Sequence, residues 1–133
     1  MALEISSDSL ASKRFYHKDN SAIPSKVTEL ISFIQLNLQK QLTVSELAKK
    51  VNQHPDYFSR LFVQLTGERP LPYINGKRIE RAQYLMTTSD MTVAEIAEET
   101  GFSSVPHFSK IFKQVTSLTP GQYRHQHQNL GNY

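Results

Sequence analysis

A two-part phrase is written twice in this chain. LTVSELA at 42–48 leads to FSRLF at 58–62, and MTVAEIA at 91–97 leads to FSKIF at 108–112. Repeated apolar phrasing of this kind demands a repeated unit of local structure, because each copy buries the same face. In the first part, a Thr is followed three residues later by Glu: Thr43 with Glu46, and Thr92 with Glu95. That spacing predicts a capping box, in which hydroxyl and carboxylate satisfy orphan backbone N–H groups at a helix start. In the second part, the Phe residues and the Leu or Ile between them recur at the spacing of one helical face. Each copy therefore reads as a short capped helix, a turn, and a second helix with one apolar stripe.

The remaining segments fit around these two units. Val27, Leu30, Ile31, Ile34 and Leu38 predict a helix following Pro24, over about 24–40. Pro55 is placed as a first helical residue, where its missing N–H costs nothing. The expected buried stripes are Phe58, Leu61, Phe62 and Leu65 in one copy, and Phe108, Ile111, Phe112 and Val115 in the other. Between the copies a longer helix at about 70–87 carries Ile74, Ile79, Ala82, Leu85 and Met86. TPGQYR begins a short last helix, and 127–133 reads as a frayed tail. Residues 1–22, with five serines and little apolar periodicity, read as a disordered segment or interdomain linker. No segment alternates with a period of two. The expected fold is all-α with seven helices: a first unit at about 43–66, a linker helix at 70–87 and a second unit at 92–116, within a domain spanning 23–126.

Several function classes drop out. The chain has 133 residues, room for one domain with a proper core, and no cysteine for disulfides, thiolate metal sites or a cysteine nucleophile. Its apolar runs, such as LISFI, fall far short of the roughly 20 residues of a membrane-spanning helix. A cytoplasmic protein is the expectation, with no membrane partner. There is no H-E-x-x-H, no phosphate-cradling glycine loop and no nucleophile–base pair, so an enzyme is not expected. His125 and His127 lack a third ligand nearby and read as a solvated tail rather than a metal site. No cofactor is implied.

The net charge of +3 is unevenly distributed. No acidic side chain follows Glu99, whereas Lys110, Lys113 and Arg124 do; Arg60, Arg69, Lys77, Arg78 and Arg81 form a second basic concentration. Asp90, Glu95, Glu98 and Glu99 form an acidic island between them. A helix-turn-helix uses this layout to bind DNA: the stripe anchors the second helix, and its opposite face and N-terminus meet bases and phosphates. Paired helical hairpins also build protein-interaction modules, so that reading stands beside DNA binding at this point.

The run from Leu42 to Arg124 resembles the DNA-binding domain of AraC/XylS-type bacterial transcription regulators. The resemblance rests on both phrases, the R-x-x-x-A at Arg78–Ala82, GF at 101–102 and TPGQYR at 119–124. It implies two helix-turn-helix units joined by a linker helix, with their second helices entering successive major grooves. It further implies sequence-specific binding of double-stranded DNA for transcriptional regulation, activation being the expected sense and RNA polymerase an expected partner. The family usually carries a separate sensor or dimerisation domain, so the chain is either a stand-alone regulator or, the favoured expectation, an excised C-terminal part with residues 1–22 as its interdomain linker, in the cytoplasm at the bacterial nucleoid. Because the outward residues of the two copies differ, a single chain should read an asymmetric site.

The base-edge candidates are Asp56, Ser59, Arg60, Val105, His107 and Lys110; the phosphate candidates are His54, Arg78, Ser104 and Lys113. Arg60 leads, since guanidinium to guanine is the commonest specific contact. Asp56 could accept from cytosine N4, and Val105 could touch a thymine methyl. Three features depart from the family pattern. His54 stands where a small hydroxyl cap is usual and is expected to cap poorly. Val105 and Pro106 replace polar base readers. Gly76 inside the linker helix admits either flexing or close packing.

Overall fold

The computed structural model describes the backbone of residues 18–131 and the side chains of residues 25–128. Within these it is all helical: α1 Lys18–Leu36, α2 Val44–Lys50, α3 Pro55–Thr66, α4 Pro70–Thr88, α5 Val93–Glu99, α6 Val105–Thr116 and α7 Pro120–Gly131. Residues 1–17 of the expected linker segment lie outside the described residues. Two helices differ from expectation at their ends. α1 begins at Lys18 and runs through Pro24, whose missing N–H removes one intrahelical bond, and it stops at Leu36. α7 continues to Gly131 instead of fraying at 127. His127 helps hold it: its ring stacks on Tyr123 at 4.1 Å and its Nδ1 lies 2.9 Å from the Tyr123 carbonyl oxygen.

The helix starts follow local chemistry, though not uniformly. At α5 the capping box is complete: Thr92 Oγ1 accepts from Glu95 N–H at 3.1 Å, and Glu95 accepts from Thr92 N–H at 2.8 Å. At α2 only half of it forms, Thr43 Oγ1 accepting from Glu46 N–H at 3.2 Å. Ser104 caps α6 by accepting from His107 N–H at 3.2 Å. His54 performs the same task for α3 against expectation, its Nδ1 accepting from Asp56 N–H at 3.2 Å. α3 and α6 both end on a left-handed residue, Gly67 at φ 85° and Ser117 at φ 70°.

Two apolar cores result, and α4 serves both. The first gathers Val27, Leu30 and Ile34 of α1, Leu47 and Ala48 of α2, Phe58, Leu61 and Phe62 of α3, and Ile74 of α4. The second gathers Ile79, Ala82 and Met86 of α4, Ile96 and Ala97 of α5, Phe102, and Phe108 and Phe112 of α6. Each fully buried Phe or Ile contributes about 1.5–3 kcal/mol relative to exposure. The stripes end sooner than their spacing suggests: Leu65 is 43% and Val115 52% exposed. α2 and α5 have 7 residues each, whereas α3 and α6 have 12, so the last turn of each longer helix outruns its cover.

Candidate nucleic-acid interface

The two units share one turn geometry. After α2, Asn52 takes a left-handed φ of 56° and Gln53 N–H bonds back to the Ala48 carbonyl at 3.0 Å. After α5, Gly101 takes φ 92° and Phe102 N–H bonds to the Ala97 carbonyl at 2.9 Å. Asn and Gly are the residues that tolerate this region most readily. The turn launches α3 and α6, and the buried Phe residues fix how each is rotated about its axis.

With Phe58, Leu61 and Phe62 inward, α3 presents Asp56, Arg60 and Val63 to solvent, and Ser59 is half-buried. The Arg60 guanidinium carbon lies 5.9 Å from the Tyr57 ring centroid, a contact that restrains the side chain without neutralising it. His54 Nδ1 comes within 3.9 Å of the Asp56 carboxylate. Since that same nitrogen accepts from Asp56 N–H, it carries no proton, and the approach is not an ion pair.

α6 presents Val105, Pro106, His107, Lys110 and Lys113, all exposed, with Ser109 half-buried. Pro106 falls in the first turn, where an N–H has no intrahelical partner in any case. The His107 ring leans on Phe102 at 5.6 Å. Lys110 and Lys113 have no acidic neighbour within α6, so the charges on this face are all positive, whereas α3 carries Asp56 one turn before Arg60.

Of the phosphate candidates, Arg78 is removed. It is only 8% exposed, its Nε donates to the Leu38 carbonyl at 2.9 Å and its Nη2 to the Lys40 carbonyl at 2.7 Å. Burial lowers its pKa from the ordinary arginine value. A guanidinium with its fork committed to two carbonyls does not reach a phosphate outside the fold. Arg124 is also turned inward, donating to the carbonyls of Met86 at 3.2 Å and Ser89 at 3.4 Å. Lys77 pairs with Glu80 and Arg81 with Glu99, each at 3.6 Å. The basic concentrations of the linear sequence thus resolve into a few outward cations: Arg60 on α3, Lys110 and Lys113 on α6, and Arg69 at the head of α4. Reading the sequence left Arg78 between phosphate contact and packing, which the structure decides for packing, and it missed the inward role of Gly101, although R-x-x-x-A and GF are the motifs that contain them.

Comparison with known proteins agrees with this geometry. The helix-turn-helix domain family model matches residues 47–126. An uncharacterized HTH-type transcriptional regulator of Staphylococcus aureus strain MSSA476 is 35% identical over 112 residues, covering 84% of this chain and 15% of that protein. Regulatory protein PocR of Salmonella typhimurium strain LT2 is 34% identical over 102 residues, covering 77% of this chain and 34% of that protein. The chain therefore spans a small part of the length of these relatives. Among solved structures, the DNA-binding domain of AdpA, the global transcriptional factor, in complex with a target DNA, superposes with a TM-score of 0.76 at 30% identity, covering 78% of this chain and 94% of that one. The C-terminal domain of the response regulator yesN from Fusobacterium nucleatum gives a TM-score of 0.72 at 32% identity, covering 75% and 98%.

Proposed function

We propose that this chain, which belongs to the AraC-type helix-turn-helix family, is a sequence-specific DNA-binding domain of transcription regulation, and that one copy reads an asymmetric duplex site with α3 and α6 in two successive major-groove segments. The observation that carries this reading is the pair of equivalent helices held on one linker helix with unlike outward side chains. α4 has 19 residues, about 28 Å at the helical rise, close to the roughly 34 Å between adjacent groove segments.

In this reading Arg60 reads a guanine edge, and Lys110 is its counterpart on α6. Asp56, Ser59, Val105 and His107 are the further base-edge residues, and Val105 suits a thymine methyl. Lys113, the exposed ring of His54 and the hydroxyl of Ser104 supply phosphate contacts. Each of the last two also caps its helix with one atom. Activation is the proposed sense of regulation, with RNA polymerase as a partner and a sensor or dimerisation domain elsewhere in the protein.

The test is selection of duplexes from a random pool, followed by titration of the selected duplex and a scrambled one over a salt series. The reading expects a single asymmetric motif and a steep fall of affinity with salt, the signature of displaced counterions. A flat salt response with no preferred motif would instead favour a protein-interaction module.

A further inference from the structure

Two cores on one helix could rock against each other, and a single polar clasp opposes this. Arg78 leaves α4 between Ile74, which belongs to the first core, and Ile79, which belongs to the second. Its two donated bonds, to the carbonyls of Leu38 and Lys40, hold the turn that follows α1. Its guanidinium carbon sits 5.8 Å from the ring centroid of Phe102, in the second core. Gly101, immediately before, passes so close that an added Cβ would collide with the Leu38 carbonyl oxygen and lie 2.8 Å from Arg78 Nε. Its φ of 92° also excludes a comfortable side chain. Gly101 and Phe102 form the turn that launches α6. The exposed Arg81–Glu99 pair closes the same α4–α5 edge from outside and is screened by solvent.

From this arrangement we infer that Arg78 is a positioning residue that sets the phase between α3 and α6, and with it the half-site spacing the chain accepts. The inference rests on the two-groove reading above. The chemistry calls for arginine: two donors in a rigid fork span two carbonyls while the planar face packs on an aromatic ring. Lysine offers one ammonium and no planar face. Without the fork, the Leu38 and Lys40 carbonyls lose their donor, and among the described residues α4 and the close approach of Gly101 to Leu38 are left to join the first unit to the second. One inserted base pair rotates one half-site by about 35° relative to the other, so a rigid pair of helices must reject it and a loosened pair need not.

The experiment compares the wild type with Arg78→Lys, and with Glu99→Gln as a control. Residual dipolar couplings on the free chain report the orientation of the first core relative to the second. Affinity is then measured for the selected duplex with its spacer shortened by one base pair, unchanged, or lengthened by one or two. The wild type is expected to prefer one spacer. Arg78→Lys should lose roughly tenfold on that spacer, the scale of a charge-assisted hydrogen bond, and bind the altered spacers nearly as well. Its inter-core couplings should change while the shifts within each core persist. Glu99→Gln should behave as the wild type. If Arg78→Lys does not fold, Gly101→Ala forces the same contact apart from the other side and should flatten the same profile. Unchanged couplings and an unchanged spacer profile, with only a loss of stability, would overturn the inference. If no duplex is bound specifically, the two-groove reading fails, and the couplings still decide whether Arg78 fixes the two cores.

Discussion

Phe112 meets Tyr123 edge-on, with ring centroids 5.4 Å apart and planes at 81°. Phe62 meets Tyr73 in the same manner at 5.2 Å and 76°. Thr66 and Thr116 extend the parallel: each hydroxyl lies against a carbonyl one turn back, Phe62 at 2.9 Å and Phe112 at 2.8 Å. Pro70 and Pro120 then open the helix that follows, and both are buried. The repeated unit is therefore longer than helix-turn-helix and includes a bracing helix, supplied by α4 for the first copy and α7 for the second.

If α7 braces the second unit, truncating its aromatic contact should loosen that unit. Tyr123→Ala removes a half-buried ring that touches Phe112 and His127. The expected loss is about 2 kcal/mol, below that of a fully buried aromatic. Urea unfolding followed by far-UV circular dichroism measures it. A change under about 0.5 kcal/mol, the range of ordinary surface substitutions, would mean that α7 is not a brace.

Gly76 lies in α4, and an added Cβ there meets no atom within 4 Å. Close packing is therefore not the reason for glycine at this position. Gly76→Ala should stabilise the chain by about 0.5–1 kcal/mol, by restricting the unfolded backbone and favouring the helix. Thermal unfolding shows the sign directly. A lower midpoint would contradict the helical environment described for this residue.

The acidic residues of α5 bear on where DNA lies. Glu95 is held in the capping box, and Glu99 pairs with Arg81 at 3.6 Å, leaving Glu98 exposed. Replacing Glu98 and Glu99 together by Gln removes two negative charges and frees the Arg81 guanidinium. Affinity for the selected duplex should be unchanged or modestly tighter, because long-range repulsion falls. Where the full regulator activates transcription, lost activation at unchanged affinity identifies these carboxylates as a contact for the polymerase. Clearly weaker binding would place α5 on the DNA side.

Much of this architecture was legible in the sequence because it is local and periodic. Capping residues and a Phe stripe specify a short helix and the rotation of its partner without reference to distant chain. The outward positions of Asp56, Arg60, Lys110 and Lys113 follow by elimination once the stripe is fixed. What was illegible depends on residues far away. Arg78 reads equally as a phosphate contact or a packing residue until the Leu38 and Lys40 carbonyls are brought to it. Leu65 and Val115 continue their stripes, yet their exposure depends on the length of the neighbouring helix. His54 caps α3 through a ring nitrogen, a role that depends on side-chain rotation rather than residue type. Pro24 is a common start signal, but α1 already has several residues before it.

Arg60 separates base reading from phosphate clamping. It is exposed on α3, with the helix held from behind by Phe58, Leu61 and Phe62. Arg60→Ala should weaken the selected duplex by roughly 1–3 kcal/mol and relax the preference at one base position. Repeating the selection with the variant reads this out. An identical motif at uniformly lower affinity would assign Arg60 to a phosphate.

Guanine methylation interference on the selected duplex shows whether one chain places two unlike helices in adjacent major-groove segments. N7 methylation blocks contacts on the major-groove edge, so interference marks where each helix lies. The account predicts two clusters on one face of the duplex, about 10 base pairs apart between centres, of unlike sequence and in a one-to-one complex. A single cluster would contradict it, as would two clusters related by a dyad and occupied by two chains.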